Sequence, residues 1–122
     1  MLISDLYSVP KVKLEANKLE ADIVLNPGHE IYKGHFPGQP ILPGVLQLQL
    51  VQEILSEVLN KKLRFKSSLN IKFLSMIDPG LVNILSVEIE IISETEEGCK
   101  ISARIHSGNT VFLRFKGVYT FE

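Results

Sequence analysis

Cysteine occurs once in the 122 residues, at Cys99, so the chain cannot close an internal disulfide. Set in the alternating stretch CKISARIH, that lone thiol reads as a small core residue rather than a nucleophile. The opening MLISDLYSVPKVKLEA lacks a basic region followed by an apolar one. No secretory leader is therefore expected, and a reducing, cytoplasmic setting follows from both features. Long apolar runs are missing too, which excludes a membrane-spanning helix. Charge of one sign is not in excess: 13 Lys and Arg stand against 14 Asp and Glu, for a net charge of −1. With no arginine-rich run or RNA-binding aromatic motif either, nucleic acid is not an expected partner. His29 and His106 have no Cys, Asp or Glu near them at metal-ligand spacing, so neither a metal nor another cofactor is expected. His29 reads as a surface loop residue. Ser56, Ser67 and Ser68 lack a nucleophile-elbow context, and no glycine-rich loop ends in Lys-Ser or Lys-Thr. Repeats and low-complexity segments are absent.

What is present is ordinary globular material, 45% hydrophobic and 22% charged, enough for one domain over residues 1–122. A chain this short gains by burying further surface in an oligomer. Residues 1–13 show no clear period. KLEADIVL alternates, with Leu19, Ala21, Ile23 and Leu25 on one side, and reads as a half-buried strand. Residues 26–44 form a long loop rich in Pro and Gly, too long to be a mere connection. PGVLQLQLVQEILSEVLN is the one good helix, with Pro43 at its first turn. Gln49, Gln52, Glu53, Ser56, Glu57 and Asn60 form its polar stripe; Gln47 alone breaks the wide apolar side, which calls for enclosure by other structure. Every later element reads as extended. LRFKSSLNIKFL carries Leu69, Ile71 and Phe73 in alternation, and LVNILSVEIEII, CKISARIH and TVFLRFKGVYTF follow, separated by turns at DPG, ETEEG and SGN. One apolar helix with an antiparallel sheet is an α+β domain in which the sheet wraps the helix.

The loop ends in GHFPGQPILPGVL at residues 34–46. This run closely resembles the signature of the 3-hydroxyacyl-acyl-carrier-protein dehydratases, G-H-F-P-G-x-P-x-x-P-G-V-L. The Lys72-Phe73 pair before the Asp78-Pro79-Gly80 turn is similar to a later family segment, with the turn inverted. The resemblance implies a hot-dog fold, a long helix wrapped by a curved antiparallel sheet. It implies His35 as catalytic base, and Gly44, with Pro43, Val45 and Phe36 around it, as the place where a backbone N–H holds the thioester carbonyl. Removing a proton next to a thioester builds negative charge on the carbonyl oxygen, and a helix N-terminus supplies N–H groups and a positive dipole end there. The resemblance also implies a homodimer, or a trimer of dimers, with each site shared between chains, and an acyl carrier protein delivering the substrate. Lys61, Lys62, Arg64 and Lys66, joined by Lys33 and Lys72, would be its docking patch, against the plainer reading of solvated charge. Tyr32, Phe36 and Phe73 line either the core or an acyl tunnel.

One position departs from the family. Fourteen residues after the histidine, where the family carries Glu or Asp, stands Gln49, which cannot give up a proton as a carboxylic acid does. Four residues on, where many members carry Gln, stands Glu53, one helical turn of about 5.4 Å away on the same stripe. Three readings remain open. Glu53 serves as acid through water or a shifted pose; or Gln49 positions the hydroxyl while His35 moves every proton; or the chain has lost dehydration and kept binding, as partner to an active subunit. A hot-dog thioesterase is a weaker alternative, since those usually lack this histidine–proline–glycine signature.

Overall fold

The computed structural model describes residues 5–33 and 40–122. Six strands and one long helix appear in the order β1 (Tyr7–Glu15), β2 (Lys18–Leu25), α1 (Gly44–Leu59), β3 (Leu63–Phe73), β4 (Ile84–Glu94), β5 (Gly98–Ser107) and β6 (Thr110–Phe121), with a short 3-10 turn at Glu30–Tyr32. The strands make one antiparallel sheet in the order β1-β2-β4-β5-β6-β3. The period-2 pattern explains the face each residue takes. Leu19, Ala21, Ile23 and Leu25 of β2, Leu85, Val87 and Ile89 of β4, and Ile101, Ala103 and Ile105 of β5 all point inward and are buried. Leu50, Val51, Ile54 and Leu55 of α1 complete that core. Each such side chain contributes about 1.5–3 kcal/mol by leaving water, so the helix is held mainly by its apolar face. This is the helix-in-sheet arrangement the sequence led us to expect.

Two elements differ from expectation. A strand, β1, occupies most of residues 1–13, where no period was visible. It is the outermost strand beside β2, and nearly all its side chains are exposed, so no inward apolar rhythm marks it. Its register shifts between Ser8 and Lys11, around Pro10, as an edge strand tolerates. The other is β3, at the opposite edge. Leu69 and Phe73 alternate with polar residues but are exposed, because the helix and sheet leave that margin open.

The turns fall where the punctuation placed them. Asp78 accepts the N–H groups of Leu81 and Val82 on its carbonyl and that of Gly80 on its side chain. Gly108, with φ of +56°, makes the two-residue turn between β5 and β6. The helix starts one residue after the expected position: Pro43 is its N-cap, in extended conformation. The Leu42 N–H donates to the Ile77 carbonyl at 2.8 Å, tying the approach to α1 to the segment after β3. Gln47, read as the one flaw in the apolar side, is buried and donates through Nε2 to the Leu42 carbonyl at 3.2 Å. It fastens the helix start rather than spoiling the core. No helix among the described residues is long and apolar enough to cross a membrane.

Candidate active site

His35 and Phe36 lie outside the described residues; the other expected site residues are placed. Gly44 is the first residue of α1, and its N–H is one of the first-turn donors that have no intrahelical acceptor. The ring of Phe73 lies directly over its Cα: a methyl group there would sit 2.6 Å from Phe73 Cζ. Phe73 is thus neither core nor solvent. It covers the helix start from β3 while half of its surface stays exposed. Val45, next in line, is 72% exposed.

Gln49 and Glu53 are brought together directly. Gln49 Nε2 donates to Glu53 Oε2 at 3.1 Å, so no water is needed between them. The spacing of four residues on a helix sets this contact. The carboxylate oxygens are acceptors only, which orients the Gln49 amide with its NH2 end toward Glu53. Glu53, a member of the polar stripe, is withdrawn from water: only 4% of it is exposed. Part of the stripe lines a cavity of about 200 Å³, formed by Gln49, Gln52, Glu53, Ser56, Lys62, Leu63 and Glu122.

Sequence reasoning missed the residue that makes the burial of Glu53 tolerable. The Tyr7 hydroxyl, from the start of β1, donates to Glu53 Oε1 at 2.6 Å. Burial, then the hydrogen bond and charge of Glu53, then the charge of Glu57, push the Tyr7 phenol above its usual range, so it remains an O–H donor. Nothing in the sequence links Tyr7 to a residue so far along the chain; the only signal was a tyrosine at the margin of a segment with no period.

The remaining candidates settle into structural places. His29 Nδ1 accepts the Ile31 N–H at 3.0 Å and caps the Glu30–Tyr32 turn. Tyr32 is in the core, its hydroxyl pushed up to about 12 by burial and by the charge of Asp78. His106 Nε2 lies 3.1 Å from Glu88 Oε2, which also takes Arg104. Cys99 is buried, and burial pushes its thiol up to about 11. No cluster of three or more His, Cys, Asp or Glu among the described residues is placed to hold a metal ion. In the basic patch, Lys61 pairs with Glu94 at 3.8 Å and lies over the Phe121 ring, and Arg64 pairs with Glu122 at 2.8 Å. Lys62 and Lys66 are exposed, Lys62 beside the cavity.

A single long helix in a six-stranded antiparallel sheet, with a polar cluster on that helix, defines a hot-dog protein. The fold is shared with the dehydratase heterocomplex ApeI:P from Xenorhabdus doucetiae, at a TM-score of 0.74 and 23% identity over 93% of this chain and 96% of that one. Residues 11–112 match the ApeI-like family, described as ApeI dehydratase, and the chain belongs to that family. It is also similar to 3-hydroxyacyl-acyl-carrier-protein dehydratases FabZ. That of Chlamydia caviae is 33% identical over 114 residues, 86% of this chain and 70% of the relative. That of Clostridium acetobutylicum is 36% identical over 70 residues, 52% of this chain and 48% of the relative. Against several such relatives the matched stretch spans about half to two thirds of their length.

Proposed function

We propose that this chain is a one-domain dehydratase that removes water from a 3-hydroxyacyl thioester to give the trans-2-enoyl thioester. The observation that carries the reading is the Gln49–Glu53 pair, half-buried Gln49 bonded to buried Glu53 one turn along α1, at the position where the family keeps its acid. Both Glu53 oxygens accept hydrogen bonds, from Tyr7 and from Gln49, so the carboxyl is already engaged on both sides. That supports the reading in which Gln49 positions the leaving hydroxyl and His35 moves the protons. His35 takes the proton from C2, the charge gathering on the carbonyl oxygen is held by the Gly44 N–H, and the C2–C3 double bond forms as the C3–O bond breaks. The hydroxyl leaves as water with the proton returned by the imidazolium.

A dimer completes such a site, and exposed apolar side chains near the helix start, Val45, Phe73, Leu74 and Met76, supply a surface for it. An acyl carrier protein fits the exposed cations. Exposed Lys72 and Arg114 stand directly opposite one another across β3 and β6, a like-charge pair that an acidic partner would relieve. The second reading, a binding subunit paired with an active dehydratase, is favoured by the heterocomplex named for the Xenorhabdus structure.

The test is hydration of a short trans-2-enoyl thioester, followed by loss of its conjugated absorbance. Wild type should be active, and His35→Ala should lose about a hundredfold or more. Gln49→Glu alone should not help, since two carboxylates at hydrogen-bonding distance compete for one proton. The exchange Gln49→Glu with Glu53→Gln should restore the family arrangement and its activity. Silence of wild type at every chain length refutes the enzyme reading; silence of wild type with activity in the exchanged variant establishes the binding subunit.

A further inference from the structure

We infer that Tyr7 is a positioning residue of this site, which fixes the Glu53 carboxylate and through it the amide plane of Gln49. The inference deepens the proposed dehydratase reading and rests on it for the chemistry, though not for the geometry.

Three observations carry it. First, the chain Tyr7 Oη to Glu53 Oε1 to Glu53 Oε2 to Gln49 Nε2 is continuous, at 2.6 and 3.1 Å, and each link uses a different carboxylate oxygen. A carboxylate held from both sides cannot rotate, so the amide it accepts from is held as well. Second, the phenol is delivered by a pinned piece of backbone. Leu6 is fully buried, its carbonyl accepts the Asn26 N–H at 2.8 Å, and Asn26 Nδ2 donates to the Asp5 carbonyl at 2.8 Å. Tyr7 itself pairs with Leu25 in the ladder. A rigid support of this kind separates a placed group from one that merely packs. Third, packing alone would need only the ring. The hydroxyl adds a hydrogen bond to a residue that is almost wholly withdrawn from water, and such a bond to a charged acceptor is among the stronger ones. The phenol holds its proton through the working pH range, so the donor is constant. Other charges near the cluster are Glu57 on α1, and Lys62 and Glu122 lining the cavity.

Two measurements on the whole chain test the inference. In Tyr7→Phe, the side-chain amide proton resonances of Gln49 should shift and broaden, because the amide is no longer fixed; unchanged resonances overturn the inference whether or not the protein is an enzyme. In hydration of a short trans-2-enoyl thioester, Tyr7→Phe should lower kcat about tenfold with KM within about twofold. The same substitution in Glu53→Leu should cost no further activity, since no acceptor for the hydroxyl is left at that position. Equal losses on both backgrounds mean that Tyr7 acts independently of Glu53 and overturn the inference. If wild type hydrates nothing while the Gln49 resonances respond to Tyr7→Phe, the dehydratase reading fails and the positioning stands. Thermal unfolding of Tyr7→Phe and of Tyr7→Leu checks that both fold. If Tyr7→Phe behaves as wild type while only Tyr7→Leu is impaired, the ring alone matters and the inference is overturned.

Discussion

Replacing Gly44 with alanine isolates the contact that covers the helix start. The glycine is in helical conformation without positive φ, so alanine is allowed by the backbone. The added Cβ would lie 2.6 Å from Phe73 Cζ and 2.8 Å from Cε1, so the ring tip must retreat by about 0.8 Å to reach ordinary contact at 3.4 Å. Overpacking of this size costs about 1–3 kcal/mol, and the better helix propensity of alanine returns up to about 1 kcal/mol. The net loss should be about 0–2 kcal/mol, at the low end because the half-exposed ring can swing outward. In Phe73→Ala the obstruction is gone, and Gly44→Ala should then be neutral or stabilising. Urea unfolding of the two single variants and the double variant, at one protein concentration, should yield a coupling of about 1–3 kcal/mol. Additivity within about 0.5 kcal/mol would refute the contact. Hydration activity adds a second readout: the methyl group and the displaced ring crowd the donor proposed to hold the carbonyl, so activity should fall far more than stability.

Gly98→Ala should behave differently, because its Cβ would run into the backbone carbonyl of Tyr119 at the end of the β5–β6 ladder. No side chain can yield there, and a loss of about 3 kcal/mol or more, or failure to fold, is expected in the same urea assay. Glu88 predicts an acid dependence. Burial alone would raise its carboxyl, but the hydrogen bond and charge of Arg104, helped by His106, hold it below the usual range. A depressed folded value stabilises above the unfolded pKa of about 4.3, and that contribution fades as pH falls through the folded value. Glu88→Gln should therefore cost about 0.2–1 kcal/mol near neutrality for this half-exposed group, with the difference from wild type vanishing in strong acid. Cys99, with its thiol pushed up to about 11, should resist iodoacetamide in the native protein and react only on unfolding.

The strands that flank the core were legible because burial is one-sided there. Ala21 and Ile23, or Val87 and Ile89, face the helix while their neighbours face water, and a period of two is the trace of that. At the sheet margins the rule loses its grip. β1 shows no rhythm because little covers either of its faces, and β3 shows a rhythm that burial does not follow. The helix was legible in extent and in its apolar face. Its polar stripe was legible too, but periodicity tells which residues share a side and not what that side meets. Here it meets a cavity and a tyrosine from a strand 46 residues earlier. The exchange of Gln and Glu at 49 and 53 was visible in the sequence; their direct hydrogen bond was not.

The order of strands in the sheet has a consequence for how the site comes into being. β4, β5 and β6 are neighbours in both sequence and space, joined only by residues 95–97 and by Gly108 and Asn109. β2 reaches β4 only across residues 26–83, and β3 reaches β6 only across residues 74–109. Closing a long loop costs more chain entropy than closing a hairpin, so the C-terminal meander is the template and the elements bearing Tyr7, Gln49 and Glu53 dock onto it late. In a refolding pulse, amides of β4–β6 should gain protection before those of α1 and β1. The cluster would then be among the last parts to form, and the carboxylate of Glu53 would leave water only once β1 arrives with the hydroxyl that receives it.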